Sequence, residues 1–390
     1  MELSYILNEL AEDRDAYFNA IAPPIIQTSN FAYKKVDDLR QAFDDEYHHY
    51  LYSRGGNPTV NILRKKLAAL DGAEDCLVFN CGSAAIFASV LANVKSGDHI
   101  LSVRNPYSWA QKIFQDILPR FGVSHTYIDG TKIENWQQGI QPNTTVIYLE
   151  SPNSWTFELQ DLTAVASLAK QHDIVTIVDN SYCSPIHQKP IGLGIDLVLQ
   201  SATKYISGHS DVVAGVLTGS SQMMERIFNS EYMGIGSGIQ PFNAWLLIRG
   251  LRTLPMRLAH ISATTATVIT WLKQHPQVEK VIFPLDENFP QLELAKQQMT
   301  GACGLLTFIM KADTVTQVEI FCESLKHIFM AVSWGGHESL IIPKCSGMKR
   351  EDFDAENPEH RMLRLYVGLE DAAYLIADLE QAFRSCIVDS

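Results

Sequence analysis

The amino-acid sequence predicts an α/β protein, with a large domain built on a mostly parallel sheet and a smaller α+β domain after it. Three observations carry this reading. From residue 75 onward, short apolar runs of strand length alternate with stretches of helical period. Runs such as Ile174-Val175-Thr176-Ile177-Val178 are apolar almost throughout, as strands covered on both faces are. At 390 residues, the chain also exceeds the size at which a single core stops growing. The predicted division is an N-terminal arm at 1–50, the large domain at 51–240 and the C-terminal α+β domain at 241–390.

The arm reads as a short helix, the double-proline segment Ala22-Pro23-Pro24-Ile25-Ile26-Gln27, and a polar helix around Val36–Glu46. It buries little by itself and is expected to lie on a neighbouring subunit. Tyr52-Ser53-Arg54-Gly55-Gly56 is a turn-rich loop, after which Asn57-Pro58-Thr59 launches a helix with Ile62, Leu63, Leu67 and Leu70 on one face. Strands are predicted at Cys76–Phe79, His99–Val103, Val123–Ile128, Thr144–Glu150, Ile174–Asp179, Asp196–Ser201 and Val213–Gly219. Helices follow the turn Asn80-Cys81-Gly82-Ser83 and occupy Trp109–Phe121 and Leu162–Gln171. After residue 240 come a long helical region to about Gln274, strands at Val278–Pro284, Leu305–Met310 and Met362–Val367, and a final amphipathic helix at Asp371–Arg384.

A net charge of −13 and no basic cluster speak against a nucleic-acid partner. The seven cysteines are scattered without a C-x-x-C pair, so neither a disulfide framework nor a metal site is expected. No stretch reaches membrane-spanning length and the N-terminus lacks a signal-like basic region, so a cytoplasmic protein is expected.

The chemistry concentrates around Ser201-Ala202-Thr203-Lys204, a small polar loop between two buried strands. Lys204 reads either as a lysine snorkelling to the surface or as one held inside to form a Schiff base. Gly82-Ser83 opens a helix, where free backbone N–H groups and the dipole favour an anion. In a parallel sheet these turns share the carboxyl edge, where ligands bind, with Ser201 and Thr203 adding hydroxyls. Asp179 ends an apolar run and reads either as a cap on the turn Asn180-Ser181 or as the partner of a protonated ring nitrogen. Lysine, aspartate and phosphate turn together describe pyridoxal 5′-phosphate (PLP).

Tyr52-Ser53-Arg54-Gly55-Gly56-Asn57-Pro58-Thr59, Glu150-Ser151-Pro152, Val178-Asp179-Asn180, Ser201-Ala202-Thr203-Lys204, Gly208-His209-Ser210-Asp211, Arg249-Gly250-Leu251-Arg252-Thr253-Leu254, Ser333-Trp334-Gly335-Gly336 and Arg364-Leu365-Tyr366-Val367-Gly368-Leu369-Glu370-Asp371 occur in this order. The chain thereby resembles the Cys/Met-metabolism PLP enzymes over nearly its whole length. The resemblance implies the type I, aspartate aminotransferase-like fold, with 51–240 as the PLP-binding domain. It implies that Lys204 carries the cofactor, Asp179 holds the pyridine nitrogen protonated, and Gly82, Ser83, Ser201 and Thr203 bind the phosphate. Tyr52 and Arg54 would reach that phosphate from the neighbouring subunit of a dimer, within a tetramer. Tyr107 would stack on the ring and share in proton transfer, while Arg364, Ser333, Trp334 and Ser154 would receive a small sulfur amino acid.

Within the family, Ser333-Trp334-Gly335-Gly336-His337-Glu338-Ser339-Leu340 is similar to bacterial cystathionine β-lyases, where tryptophan follows the serine. Members doing γ-chemistry often place glutamate before that serine, where this chain has Val332. Glu150-Ser151-Pro152-Asn153-Ser154 also departs from the common Glu-Ser-Pro-x-Asn-Pro. Asn57-Pro58-Thr59 and Pro241-Phe242-Asn243-Ala244-Trp245 instead look like the γ-enzymes. The expected activity is cleavage of L-cystathionine to homocysteine, pyruvate and ammonia. The alternatives are a cystathionine γ-synthase, a cystathionine or methionine γ-lyase, or a non-catalytic PLP-fold binding protein.

Overall fold

A computed structural model describes residues 1–386. The chain forms two compact units, Met1–Pro152 with Leu159–Ser207 and Asp211–Arg252, and Asn153–Glu158 with Gly208–Ser210 and Thr253 onward.

The first unit holds seven strands: β1 (Asp75–Phe79), β2 (His99–Val103), β3 (Ser124–Ile128), β4 (Thr144–Glu150), β5 (Val175–Asp179), β6 (Leu197–Ser201) and β7 (Gly215–Gly219). Their spatial order is β1-β7-β6-β5-β4-β2-β3. The pairs among β2 to β6 are parallel, and β7 runs against both β6 and β1. The carboxyl ends of β1, β4, β5 and β6 therefore share one edge of the sheet.

Alternation along each strand sorts side chains to two apolar layers. Val146, Tyr148, Ile177, Leu197 and Leu199 face one core with Ile86 and Val90. Ile147, Leu149, Val178 and Val198 face the other, with Leu162 and Val165. The covering helices are α1 (Pro58–Asp71), α2 (Gly82–Leu91) and α3 (Leu162–Gln171). Asn57 caps α1 by accepting from the Thr59 N–H, and Pro58 stands where a helix has no use for an N–H. Asp161 caps α3 in the same way, accepting from Ala164.

Helices at Ile133–Gly139 and Ser221–Ile227 were not among the predicted elements, and two predicted segments differ in detail. The region 109–121 is helical, but an α-turn over Ser108–Lys112 passes into a π-turn and then a 3₁₀ turn, which Pro119 opens. The reversed strand starts at Gly215 rather than Val213, because the preceding residues are engaged by the Lys204 loop.

The second unit carries β8 (Val278–Ile282), β9 (Leu305–Met310), β10 (Phe329–Met330), β11 (Leu340–Pro343) and β12 (Met362–Tyr366), ordered β10-β11-β12-β9-β8. The long helix α4 (Pro241–Gln274) contains Pro255, and the division between units falls inside it rather than at its start. Helices α5 (Val315–Ser324) and α6 (Ala372–Ser385) cover the small sheet. Leu306, Phe308, Leu363 and Leu365 face that layer with Phe321, Leu379 and Phe383. Thr307 and Arg364 consequently lie on the opposite face, directly paired across β9 and β12. Strands β10 and β11 were not among the predicted elements.

Among the described residues no helix is long and apolar enough to cross a membrane, and no cluster of metal-ligating side chains occurs. All seven cysteines are free.

Candidate active site

The carboxyl edge of the large sheet gathers the first group. Gly82 opens α2, and a Cβ built on it would lie 3.3 Å from the Ser201 Cβ at the end of β6. The helix N-terminus and the Ser201 strand end are thus in contact, and a side chain at 82 would press on that serine. Gly215 is tighter still, since a Cβ there would sit 2.3 Å from the Cys81 carbonyl oxygen.

Lys204 is half-buried in the turn after β6, its N–H donating to the Ser201 carbonyl at 3.1 Å. The loop is clasped at its neck by Thr203. Its hydroxyl donates to the Ala214 carbonyl at 3.2 Å and accepts from the Ala214 N–H at 3.0 Å. The structure therefore spends the Thr203 hydroxyl on the backbone, while the Ser201 N–H donates to the Ser181 hydroxyl at 2.7 Å.

Asp179 is buried at the end of β5 and accepts from the Ser181 N–H at 2.9 Å. The turn-capping bond weighed in the sequence is present. Burial pushes this carboxyl up, opposed by the side-chain and backbone hydrogen bonds of Ser181 and by the charge of Lys204. Tyr107 donates its N–H to the Glu150 carboxylate at 2.6 Å. Burial raises the Tyr107 phenol, a side-chain hydrogen bond with Ser83 lowers it, and the charges of Asp179 and Glu150 raise it further. Gly82, Ser83, Tyr107, Asp179, Ser201 and Lys204 thus form one neighbourhood. Ser181 and Glu150 join it without having been singled out.

Tyr52 and Arg54 are exposed on their loop, the guanidinium lying 5.7 Å from the Tyr52 ring centroid. Among the described residues neither makes a hydrogen bond or ion pair with the Lys204 group.

Ser154, Ser333, Trp334 and Arg364 belong to the second unit. Ser333 adopts a left-handed φ of 88° and Trp334 is buried. The loop after them is tied down: Tyr366 donates to the Gly336 carbonyl at 2.7 Å, and Glu370 accepts both the N–H and the hydroxyl of Ser339 at 2.8 Å. Ser210 donates to the Glu338 carboxylate at 2.6 Å. Arg364 lies over the ring of Trp155, 4.9 Å from its centroid. Trp155 had no signal in the sequence beyond the local departure from the family run.

Residues 6–384 match the family described as Cys/Met metabolism PLP-dependent enzyme. The chain belongs to that family. This Cys/Met-metabolism enzyme is 36% identical over 375 residues to an L-methionine γ-lyase of Treponema denticola, covering 94% of this chain and 92% of that one. It is 35% identical over 371 residues to the cystathionine γ-lyase of Homo sapiens, covering 94% and 89%. The crystal structure of metB from Corynebacterium glutamicum matches with a TM-score of 0.90 and 32% identity, over 98% of both chains. The fold is type I, the protein is a PLP-dependent lyase of sulfur amino-acid metabolism, and PLP is its cofactor.

The edge of the large sheet fits that cofactor. A buried carboxyl raised by desolvation accommodates a protonated ring nitrogen. The α2 N-terminus beside Ser201, with no side chain at Gly82 to fill the space, suits a phosphate. Lys204 stands within electrostatic range of Asp179.

Proposed function

We propose that the protein is a C–S β-lyase that cleaves L-cystathionine, taking up water and releasing homocysteine, pyruvate and ammonia. The observation that carries the reading is the segment after β10. Val332, 74% exposed, brings no carboxylate where γ-acting members often have one, and the buried Trp334 follows Ser333. Sulfur leaves Cβ after one C–H bond, at Cα, is broken, whereas departure from Cγ requires a second at Cβ.

Lys204 would be the attachment point for PLP, and its free amine would take the Cα proton. When bound, PLP supplies an electron sink for the pair left at Cα. Asp179 would keep the ring nitrogen protonated, while Gly82, Ser83 and Ser201 would hold the phosphate with Thr203 closing the loop behind them. Lys204 or Tyr107 delivers a proton to the departing thiolate. Arg364 takes the α-carboxylate through its two parallel N–H bonds, helped by Ser333 and Ser154, with Trp334 shaping the pocket. Tyr52 and Arg54 serve the phosphate of a second subunit. The exposed arm side chains Phe18, Ile21, Val36 and Phe43 support an arm that packs on a neighbouring copy, in a dimer-based tetramer. Reduced cysteines support a cytoplasmic setting.

A second reading is γ-elimination, favoured by the γ-lyases among the relatives and by Asn57-Pro58-Thr59. Product analysis on L-cystathionine with the PLP-loaded protein separates the two. Pyruvate with homocysteine is expected. 2-Oxobutyrate with cysteine would replace β- by γ-elimination, and neither product from a protein carrying PLP would move the substrate elsewhere.

A further inference from the structure

We propose that Trp155 is a positioning residue: its indole ring is a platform that holds the Arg364 guanidinium flat and turns its N–H edge toward the substrate α-carboxylate. The inference rests on the assignment of Arg364 above.

Trp155 and Arg364 lie in the same compact unit, with the guanidinium carbon 4.9 Å from the ring centroid. Lys344 approaches the same ring at 5.8 Å, and its ammonium is paired with Glu359. A cation–π contact engages the face of a guanidinium, whereas a carboxylate pairs with its in-plane N–H edge. Arginine carries considerable rotamer entropy, so a side chain already held flat loses less on binding.

The platform is itself held. The Trp155 carbonyl accepts from the Thr307 hydroxyl at 2.8 Å, and Thr307 is the direct cross-strand partner of Arg364. On the other side, Ile342 pairs with Arg364, and Lys344 follows two positions later. Asn153 accepts from the N–H groups of Trp155 at 2.8 Å and Thr156 at 3.2 Å, while the Asn153 N–H donates to the Glu158 carbonyl at 3.0 Å. The six-residue loop 153–158 is thereby closed on itself and hung from the strand beside Arg364. In the run Glu-Ser-Pro-x-Asn-Pro the second proline aligns with Trp155, so the ring stands where this chain departs from that run.

A platform of this kind acts on binding rather than on the bond-breaking step, so the KM should move and kcat should not. The test uses PLP-loaded Trp155→Leu and Trp155→Phe. It reads cystathionine kinetics, cofactor content, and binding of L-alanine and of ethylamine, the same amine without a carboxylate. For Trp155→Leu we expect a KM and an L-alanine Kd raised about fivefold, the scale of a half-exposed cation–π contact. Cofactor content and ethylamine affinity should be unchanged, and Trp155→Phe should recover most of the loss. Equal loss for both amines, or none for L-alanine, overturns the platform. If Trp155→Leu does not take up PLP, Thr307→Val, which removes only the tether, replaces it. A rise in KM with unchanged ethylamine affinity then supports the platform, and no rise overturns it. Wild-type protein that binds L-alanine no better than ethylamine overturns the Arg364 assignment itself. Wild type and Trp155→Leu preferring L-alanine equally overturn only the platform.

Discussion

Of the aspartates buried in the large-sheet unit, Asp71 and Asp179 both lie close to β6, and they occupy different places in the fold. Asp71, at the end of α1, accepts from the Gln200 amide at 2.8 and 2.9 Å and from the Thr218 hydroxyl at 2.8 Å. Burial pushes its carboxyl up to about 7, against those neutral donors and the charge of Lys189. Asp179 is also raised by burial, but Lys204 faces it across the edge where Ser201 ends the strand. Both carboxyls are thus raised by burial and opposed first by neutral donors and last by a lysine charge. What separates them is place: Asp71 ends a helix, whereas Asp179 ends a strand at the carboxyl edge beside Ser201. On the proposed assignment Asp71 is architecture, while Asp179 is the carboxylate that meets the positive charge of the ring nitrogen.

The comparison can be broken at three points, in descending order of expected effect. Lys204→Ala removes both the proposed base and the cation facing Asp179, and should lower kcat on cystathionine by roughly 10⁴-fold, at the upper end for proton-transfer groups. Substantial remaining turnover by stopped product assay would count against the assignment. Asp179→Asn keeps the shape and loses the charge, so cofactor content should persist while kcat falls by roughly 10²–10³-fold. Loss of bound PLP with normal turnover in the remainder would reverse that ranking. Asp71→Asn should leave kcat within about twofold and act instead on stability. A folded pKa near 7 against an unfolded value of 3.8 means that the native state binds the extra proton between those limits. The Asp71 contribution is present in full below pH 3.8 and is lost as pH rises to about 7, by an amount on the order of 4 kcal/mol. Urea midpoints at pH 5, 6 and 7 should therefore fall less steeply for the variant than for the wild type.

What could be read from the sequence follows the same division. Apolar runs that end in a single charged or hydroxyl residue announce both a buried strand and something useful at its tip. That is how Asp179 and Ser201 stood out beside Lys204. The small sheet offers less: Phe329–Met330 is a two-residue exposed strand held by its neighbour β11, and no local pattern specifies such a pairing. The π-turn at Ile113–Ile117 shares its composition with an ordinary helix. The Ser181 N–H bond to Asp179 is local and was legible as a turn cap. The Ser181 hydroxyl at Ser201 and the Glu150 carboxylate at Tyr107 instead join residues distant in sequence that only the fold brings together. Trp155 is the extreme case, since an aromatic ring and an arginine more than two hundred positions away share no pattern in one dimension.

The strand order has a consequence in time. The first strand of the large sheet has only the last as its sheet neighbour, with Phe79 opposite Gly215, and the Gly82 turn leans on Ser201 at the far end of that same stretch. A ribosome adding roughly 5–20 residues per second needs about 7–30 s to cover the roughly 140 residues between them. Through that interval the nascent β1 has an open edge, and the Gly82 turn proposed to hold the phosphate has no floor. The cofactor therefore meets a finished cradle only after the reversed strand has left the exit tunnel, and PLP capture is expected to be a late event in the making of each chain.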